Sequence, residues 1–155
     1  MKFRIPYCLF FFVLLACSKK DSSSPPTPTY IDAKGTWSVQ SIKSKGNGVD
    51  LEYNATDHSC LADNKYEFKS GGAGRFYFAG TDSCYLYKNG STYAVAGIPG
   101  TENPLTWKQN KDTVFITYTN NSIDTGIVNS LSGKNYLTVA QHYSNGYVNT
   151  DIYTR

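Results

Sequence analysis

From residue 31 onward, the chain alternates apolar and polar residues over short stretches that are separated by turn-forming residues. A period of two is typical of β-strands with one apolar and one polar face, whereas a helical period is almost absent. In one stretch, for example, Phe76 and Phe78 fall on one face and Tyr77 on the other. The alternation predicts strands within 36–42, 65–69, 74–79, 85–87, 92–95, 105–108, 114–119, 123–131, 136–143 and 147–154.

Short turns join these segments in chain order. Asn89 and Gly90 separate two of them, and residues 144–146, Ser-Asn-Gly, separate the last two; both sequences are typical of tight hairpins. Only 57–64 is compatible with a helix, of one or two turns. The pattern predicts an all-β fold, a single antiparallel up-and-down β-barrel of about eight strands, because closure protects every strand edge. A β-sandwich is the alternative, although sandwiches usually need longer crossover connections.

The first 16 residues follow a different pattern. Lys2 and Arg4 precede an apolar stretch, 5–16, which is too short to cross a bilayer as a helix. Residues 14–17 read Leu-Leu-Ala-Cys, and this ending resembles the lipobox of bacterial lipoproteins. The resemblance implies cleavage before Cys17 and acylation of that cysteine, which would anchor the protein in a membrane. An ordinary signal peptide that happens to contain a cysteine is the alternative.

The sequence therefore predicts three segments: a signal peptide at 1–16, a lipidated tether rich in serine and proline at 17–30, and one folded domain at 31–155. Lys2 and Arg4 leave with the signal, so 13 of the 15 basic residues face 12 acidic ones. This balance gives no reason to expect a nucleic-acid partner. The residues after Cys17 resemble in part the surface-display signal of Bacteroidetes lipoproteins. We expect an outer-membrane lipoprotein that faces the periplasm or the cell surface.

The four cysteines fall into two groups. Cys8 leaves with the signal and Cys17 is the predicted lipid site, which leaves Cys60 and Cys84. An even pair in an exported protein favours a disulfide. Each of the two lies twelve residues from the centre of a hairpin predicted near residue 72, so they should meet at its open end. A reactive thiol with His58 as its base is the alternative.

Residues 35–37, Gly-Thr-Trp, resemble the Gly-x-Trp motif that opens lipocalins. The resemblance implies a barrel whose closed end is covered by Trp37, with a basic residue from beyond the last strand packed over the indole. Arg155 stands at that place, and a guanidinium on an indole is a cation–π pair. The layout from Gly35 to Arg155 is also similar to small lipocalin-like lipoproteins of Bacteroidetes. Residues 131–137 resemble their Leu-Ser-x-x-x-Leu element, with one more residue before the final leucine.

Catalytic and metal chemistry find little support in the sequence. His58 and His142 are the two histidines, and His142 falls on the strand face opposite Leu137. Asp57, His58 and Asp63 could in principle hold a metal, but a polar loop accounts for them without one. We therefore expect no enzyme, no cofactor and no metal. A hydrolase that uses His58 or His142 is the alternative.

Aromatic residues are unusually frequent, and twelve of the 13 tyrosines lie beyond the signal. Tyrosine suits sugars, flat rings and protein surfaces, but it is also simply common in strands. A barrel of eight strands is either filled by its own side chains or holds one small ligand. Two functions remain: binding of a small apolar or aromatic ligand inside the barrel, or binding of a protein or glycan by a filled barrel through loops 46–59 and 97–103. The side chains predicted to line the interior are Phe68, Phe76, Phe78, Trp107, Val114, Ile116 and Tyr118.

Overall fold

The computed structural model describes residues 29–46, 48–88, 91–143 and 146–155, with the side chains of all of these except 88 and 91–93. The predicted signal peptide, Cys17 and nearly all of the tether lie outside the described residues. So do the predicted turn residues Asn89 and Gly90 and most of the turn at 144–146. Within the described part of the chain, no helix is long and apolar enough to cross a membrane.

The described part of the chain forms eleven strands. They are β1 Gly35–Gly46, β2 Val49–Asn54, β3 Asn64–Phe68, β4 Ala73–Phe78, β5 Cys84–Lys88, β6 Ser91–Gly97, β7 Glu102–Asn110, β8 Thr113–Tyr118, β9 Ile123–Leu131, β10 Lys134–His142 and β11 Val148–Thr154. Eight of them form a closed antiparallel ring in the order β1, β3, β4, β7, β8, β9, β10 and β11, and β11 pairs again with β1. The predicted up-and-down barrel is confirmed.

Strand β2 lies outside the ring of eight and pairs with the second half of β1, on the side where β3 pairs with the first half. The prediction of a surface loop over 46–59 is therefore wrong for 49–54. Val49, Leu51 and Tyr53 alternate there with polar residues, which is the pattern of a strand with one buried face. Strand β1 likewise extends beyond the predicted 36–42, and it contains a bulge between Val39 and Ser41.

The hairpin β5–β6 follows β4 and precedes β7 in the chain, and it forms a separate two-stranded sheet. It lies at the end of the barrel where β1 is followed by β2 and β10 by β11, because the Tyr53 hydroxyl of β2 donates to the Tyr87 carbonyl oxygen of β5. We call this the open end. Phe78 lies between Gly80 and Gly97, and a Cβ at either glycine would come within 2.6 Å of its ring. The predicted helical stretch is one short 3-10 helix, Ser59–Asp63.

A disulfide ties this region together. Cys60, in the 3-10 helix, is bonded to Cys84 at the start of β5, with a Cα–Cα distance of 5.5 Å. Asn64 pairs with Phe78 at the ends of β3 and β4, so the two cysteines follow from the same hairpin register. The predicted bridge is confirmed, and the alternative of Cys60 as a free nucleophilic thiol is excluded.

Replacing both cysteines by serine should lower the free energy of unfolding by roughly 2–3 kcal/mol, because the unfolded chain gains the freedom of a loop closed over 24 residues. Urea unfolding of the oxidised protein, with and without a reductant, measures this. Reductant should lower the midpoint of the wild type to that of the double variant and leave the variant unchanged. Equal midpoints for both oxidised proteins would contradict the prediction.

Candidate functional site

The end of the barrel opposite the open end is closed by Trp37. This side chain is completely buried, and its Nε1 donates a hydrogen bond to the Ala33 carbonyl oxygen at 2.7 Å. The Arg155 guanidinium lies over the indole, with Cζ 4.5 Å from the ring centroid. It also donates hydrogen bonds to the carbonyl oxygens of Lys34 and Asp32. The structure thus brings together the two residues that the sequence analysis paired, and the segment before β1 is held across this end.

Above Trp37 the barrel is filled by its own side chains. Phe68 on β3 and Val114 and Ile116 on β8 point inward at alternate positions of their strands, and each is 0–1 % exposed. Leu137 and Val139 on β10 are completely buried in the same cluster. The alternation of the sequence places these five residues inside, and their burial contributes to the stability of the fold. This half of the interior is core.

The seven predicted lining residues therefore separate by position. Phe68, Val114 and Ile116 belong to the packed half. Trp107 is partly exposed, and its Nε1 donates to the carbonyl oxygens of Lys69, just after β3, and Ala73, the first residue of β4. Phe78 lies against the glycines under the β5–β6 hairpin. The two that line a cavity in the barrel are Phe76 and Tyr118.

This cavity, which we call the inner cavity, has a volume of about 250 Å³. Three aromatic rings stand together on one side of it: the Tyr66 centroid lies 5.1 Å from that of Phe76 and 4.9 Å from that of Tyr153. Tyr66 and Phe76 are paired across β3 and β4, which fixes their contact. The lining residues are Tyr66, Phe76, Tyr118, Gln141, Asp151 and Tyr153.

A chain of hydrogen bonds crosses the cavity wall. The Tyr118 hydroxyl donates to Asp124 Oδ2 at 2.8 Å, so it accepts the short hydrogen bond that joins it to the Tyr66 hydroxyl. Gln141 Nε2 donates to the same Asp124 oxygen at 3.0 Å. Burial raises the pKa of the Tyr66 and Tyr118 hydroxyls above the usual range of tyrosine, and the charge of Asp124 acts in the same direction. Both hydroxyls are therefore neutral donors.

Asp151 differs from the other polar groups of this wall, because one of its oxygens has no hydrogen-bond partner among the described residues. Its Oδ2 accepts a hydrogen bond from the Tyr153 hydroxyl at 3.3 Å, but its Oδ1 is buried and accepts none from the described residues. Burial raises the pKa of the carboxyl to about 6; the Tyr153 hydrogen bond lowers it, and the charge of Asp124 raises it. A carboxylate that lines a cavity with one unsatisfied oxygen is a candidate acceptor for a hydrogen-bond donor of a ligand.

A second cavity, of about 410 Å³, lies at the open end beneath the β5–β6 hairpin. It is lined by Ile42 and Ser44 of β1, Asn149 of β11 and residues of the hairpin, including Leu86. Ile42 pairs directly with Asp151, which lines the inner cavity. Ser44, two residues after Ile42 on the same face of β1, donates a hydrogen bond from its Oγ to Asn149 Oδ1 at 2.8 Å. The open-end cavity and the inner cavity therefore follow one another along β11.

An outer groove of about 400 Å³ also exists, on the outward face of β1, β10 and β11. Its one charged lining residue, Glu52, is exposed and lies 3.8 Å from Lys43 Nζ in a surface ion pair. Such a pair contributes little to binding or to stability. The inner cavity, with its buried carboxylate and packed rings, is the stronger candidate site.

The residues considered for catalysis lie apart from the inner cavity. His58 packs edge-on against Tyr53, with centroids 5.4 Å apart, just before the 3-10 helix. His142 is exposed at the end of β10. Among the described residues, no group of three or more histidine, cysteine, aspartate or glutamate side chains is arranged to hold a metal ion.

The sequence analysis did not identify Asp124, Gln141, Asp151 or Tyr153 as site residues. The available signal was the alternation of β11, which puts Asp151 and Tyr153 on one face, together with an acid at the second position of β9. No protein-family model matches the chain, and no curated protein matches it either. The function must accordingly be inferred from the fold and from this site.

Proposed function

We propose that this protein is an exported bacterial lipoprotein, anchored in the outer membrane through Cys17, whose barrel binds a small aromatic or apolar ligand. The inner cavity carries the proposal for ligand binding, because it combines a volume of about 250 Å³ with the rings of Tyr66, Phe76 and Tyr153. Cavities of this kind, mostly apolar with a few placed polar groups, are typical of small-molecule sites. The proposed role is binding, not catalysis.

The anchor is supported by the lipobox-like ending of the N-terminal apolar stretch. Expressed in a bacterium that processes lipoproteins, the wild-type chain should lose residues 1–16, carry acyl groups on Cys17 and sediment with membranes. Cys17→Ala should remain uncleaved and unacylated, because the cysteine is the acceptor. Cys8→Ala, a matched change within the predicted signal, should be processed like the wild type. Normal cleavage and membrane attachment of Cys17→Ala would disprove the anchor.

Ligand binding is tested by native mass spectrometry of the full exported chain, purified gently in detergent. We expect a reproducible extra mass that leaves on mild activation. Phe76→Leu removes a ring from the cavity wall and should reduce the bound fraction about tenfold, as expected for the loss of aromatic contact. Phe115→Leu, which changes an aromatic residue on the outward face of β8, should keep it. A protein that is always bare would count against ligand binding.

A second function is favoured by one observation at the open end. Tyr85, Tyr87 and Val95 lie on the same face of the β5–β6 hairpin, and each is 44–51 % exposed. Exposed tyrosines on a hairpin suit a protein or glycan partner. Under this alternative the barrel is a filled scaffold. It would be favoured by a bare mass together with loss of cell-surface or glycan binding in Tyr85→Ser.

A further inference from the structure

The charge of the inner cavity is unbalanced. Asp151 lines the cavity, and Asp124 accepts hydrogen bonds from two other lining residues, Tyr118 and Gln141. The charge of Asp124 also acts on Asp151. The ion pairs within the described residues use other acids, namely Asp32, Glu52, Glu67 and Glu102. A buried carboxylate without a cationic partner is costly unless it is neutralised or paired.

We propose that the inner cavity binds a small organic cation, a primary amine on an aromatic or short aliphatic body, with its ammonium group at Asp151 Oδ1. The proposal rests on the proposed ligand-binding function and names the chemical class of the ligand. An ammonium group supplies hydrogen-bond donors and a positive charge, which are the two things that this oxygen lacks. The ligand body then lies against the rings of Tyr66, Phe76 and Tyr153.

The other polar groups of the wall direct the donor to Asp151. The hydroxyls of Tyr66 and Tyr118 are used in the chain that ends at Asp124, and Gln141 donates to the same carboxylate. Asp151 Oδ1 is the buried acceptor of this wall that remains open. A ligand without a donor would leave it desolvated and unsatisfied, which disfavours a purely apolar ligand.

The aromatic rings support a cation rather than a neutral donor. Tyr66 is tilted by 57° and 56° to Phe76 and Tyr153, and all three rings line the cavity. Ring faces attract cations at short range, most strongly where water is excluded. The volume of about 250 Å³ suits a small amine.

A metal ion fits this site less well than an amine. Calcium takes six to eight oxygen ligands and magnesium requires nearly octahedral geometry. Asp151 offers one open oxygen, and Asp124 Oδ2 is already shared by Tyr118 and Gln141. One open carboxylate oxygen next to three rings matches an ammonium group.

Phenethylamine is a suitable probe, with the neutral 2-phenylethanol as its isostere. Isothermal titration calorimetry uses the full exported protein in detergent near pH 7.5. We expect phenethylamine to bind at least about tenfold more tightly than the alcohol, because its hydrogen bond to Asp151 is charge-assisted. Asp151→Asn should remove this preference and leave the affinity for the alcohol nearly unchanged. Asp57→Asn, which alters an exposed carboxylate, should keep the preference.

The pH dependence gives an independent measurement. The titratable groups that face Asp151 are Asp124 on β9, Tyr66, Tyr118 and Tyr153 on the wall, and Tyr143 after β10. Burial raises the pKa of all four tyrosines, so they stay neutral. With a pKa of about 6 for Asp151, the affinity for phenethylamine should fall about tenfold from pH 7.5 to pH 5. Asp124→Asn should keep a smaller fall, because burial still raises the pKa of Asp151 when the charge of Asp124 is removed, and Asp151→Asn should abolish the fall.

The outcomes separate the two proposals. Equal binding of amine and alcohol, insensitive to Asp151→Asn, would overturn the amine site and leave the barrel as a carrier of neutral aromatic ligands. A co-purified ligand without an amine would do the same. No binding of either probe at millimolar concentration also overturns the amine site, and a bare native mass would then remove the ligand-binding function as well.

Discussion

Trp37→Ala should lower the free energy of unfolding by about 3–5 kcal/mol, the largest loss expected from a single substitution in this chain. The indole is completely buried at the closed end. Its removal leaves a cavity, the Ala33 carbonyl oxygen loses its donor, and the Arg155 guanidinium loses the ring on which it lies. Urea unfolding followed by far-UV circular dichroism measures the change, and the fold should persist because the disulfide and the strand pairings remain.

Two variants show where the effect originates. Trp37→Phe keeps most of the apolar volume but removes the donor, so its loss should be smaller than that of Trp37→Ala. Trp107→Ala is the matched control, because Trp107 is partly exposed at the rim of the β3–β4 connection. It should destabilise less than Trp37→Ala. Equal losses for the two tryptophans would show that the closed end has no special role in stability.

The sequence predicted the barrel because its strands join neighbours in chain order. The local alternation is strong in β4, β8 and β10, and short turns leave few other ways to pair them. The closed end was expected from the resemblance of 35–37 to a known motif, and Trp37 and Arg155 meet there because β1 pairs with β11. These features depend on neighbours in sequence or on the ends of the chain.

The bulge in β1 was not predictable from alternation. Continued from Trp37 and Val39, a strict period of two would point Ser41, Lys43 and Lys45 inward. The extra residue between Val39 and Ser41 reverses the faces, so that Ile42 and Ser44 point inward instead. A bulge has a weak sequence signal because its position depends on the register of the partner strand.

The polar side of the inner cavity was also beyond the sequence pattern. Asp124, Gln141 and Asp151 come from three strands, and their meeting requires the register of β9, β10 and β11. Alternation shows which residues share a face, but a polar residue on that face is ordinarily assigned to solvent. A carboxylate held inside a core breaks the usual rule, and such departures are concentrated at functional sites.

Asp151→Asn should raise the free energy of unfolding at neutral pH by about 3 kcal/mol. Only Trp37→Ala is expected to change this free energy more. Burial raises the pKa of Asp151 from 3.8 to about 6, so the folded protein binds this proton more tightly than the unfolded chain. Its contribution to stability is therefore complete below about pH 4 and is lost as the pH rises through about 6. Asparagine carries no charge at any of these values and keeps an acceptor for Tyr153.

Urea unfolding between about pH 3.5 and pH 7.5 measures this effect, with Asp57→Asn as the exposed control. The gap between Asp151→Asn and the wild type should widen with pH by about 3 kcal/mol, whereas the control should follow the wild type. Parallel curves for Asp151→Asn and the wild type would contradict the buried charge. Phenethylamine should stabilise the wild type at neutral pH and not Asp151→Asn, because a ligand stabilises only the state that binds it. Asp151 then weakens the empty barrel and stabilises the occupied one, which a residue with a purely structural role would not do.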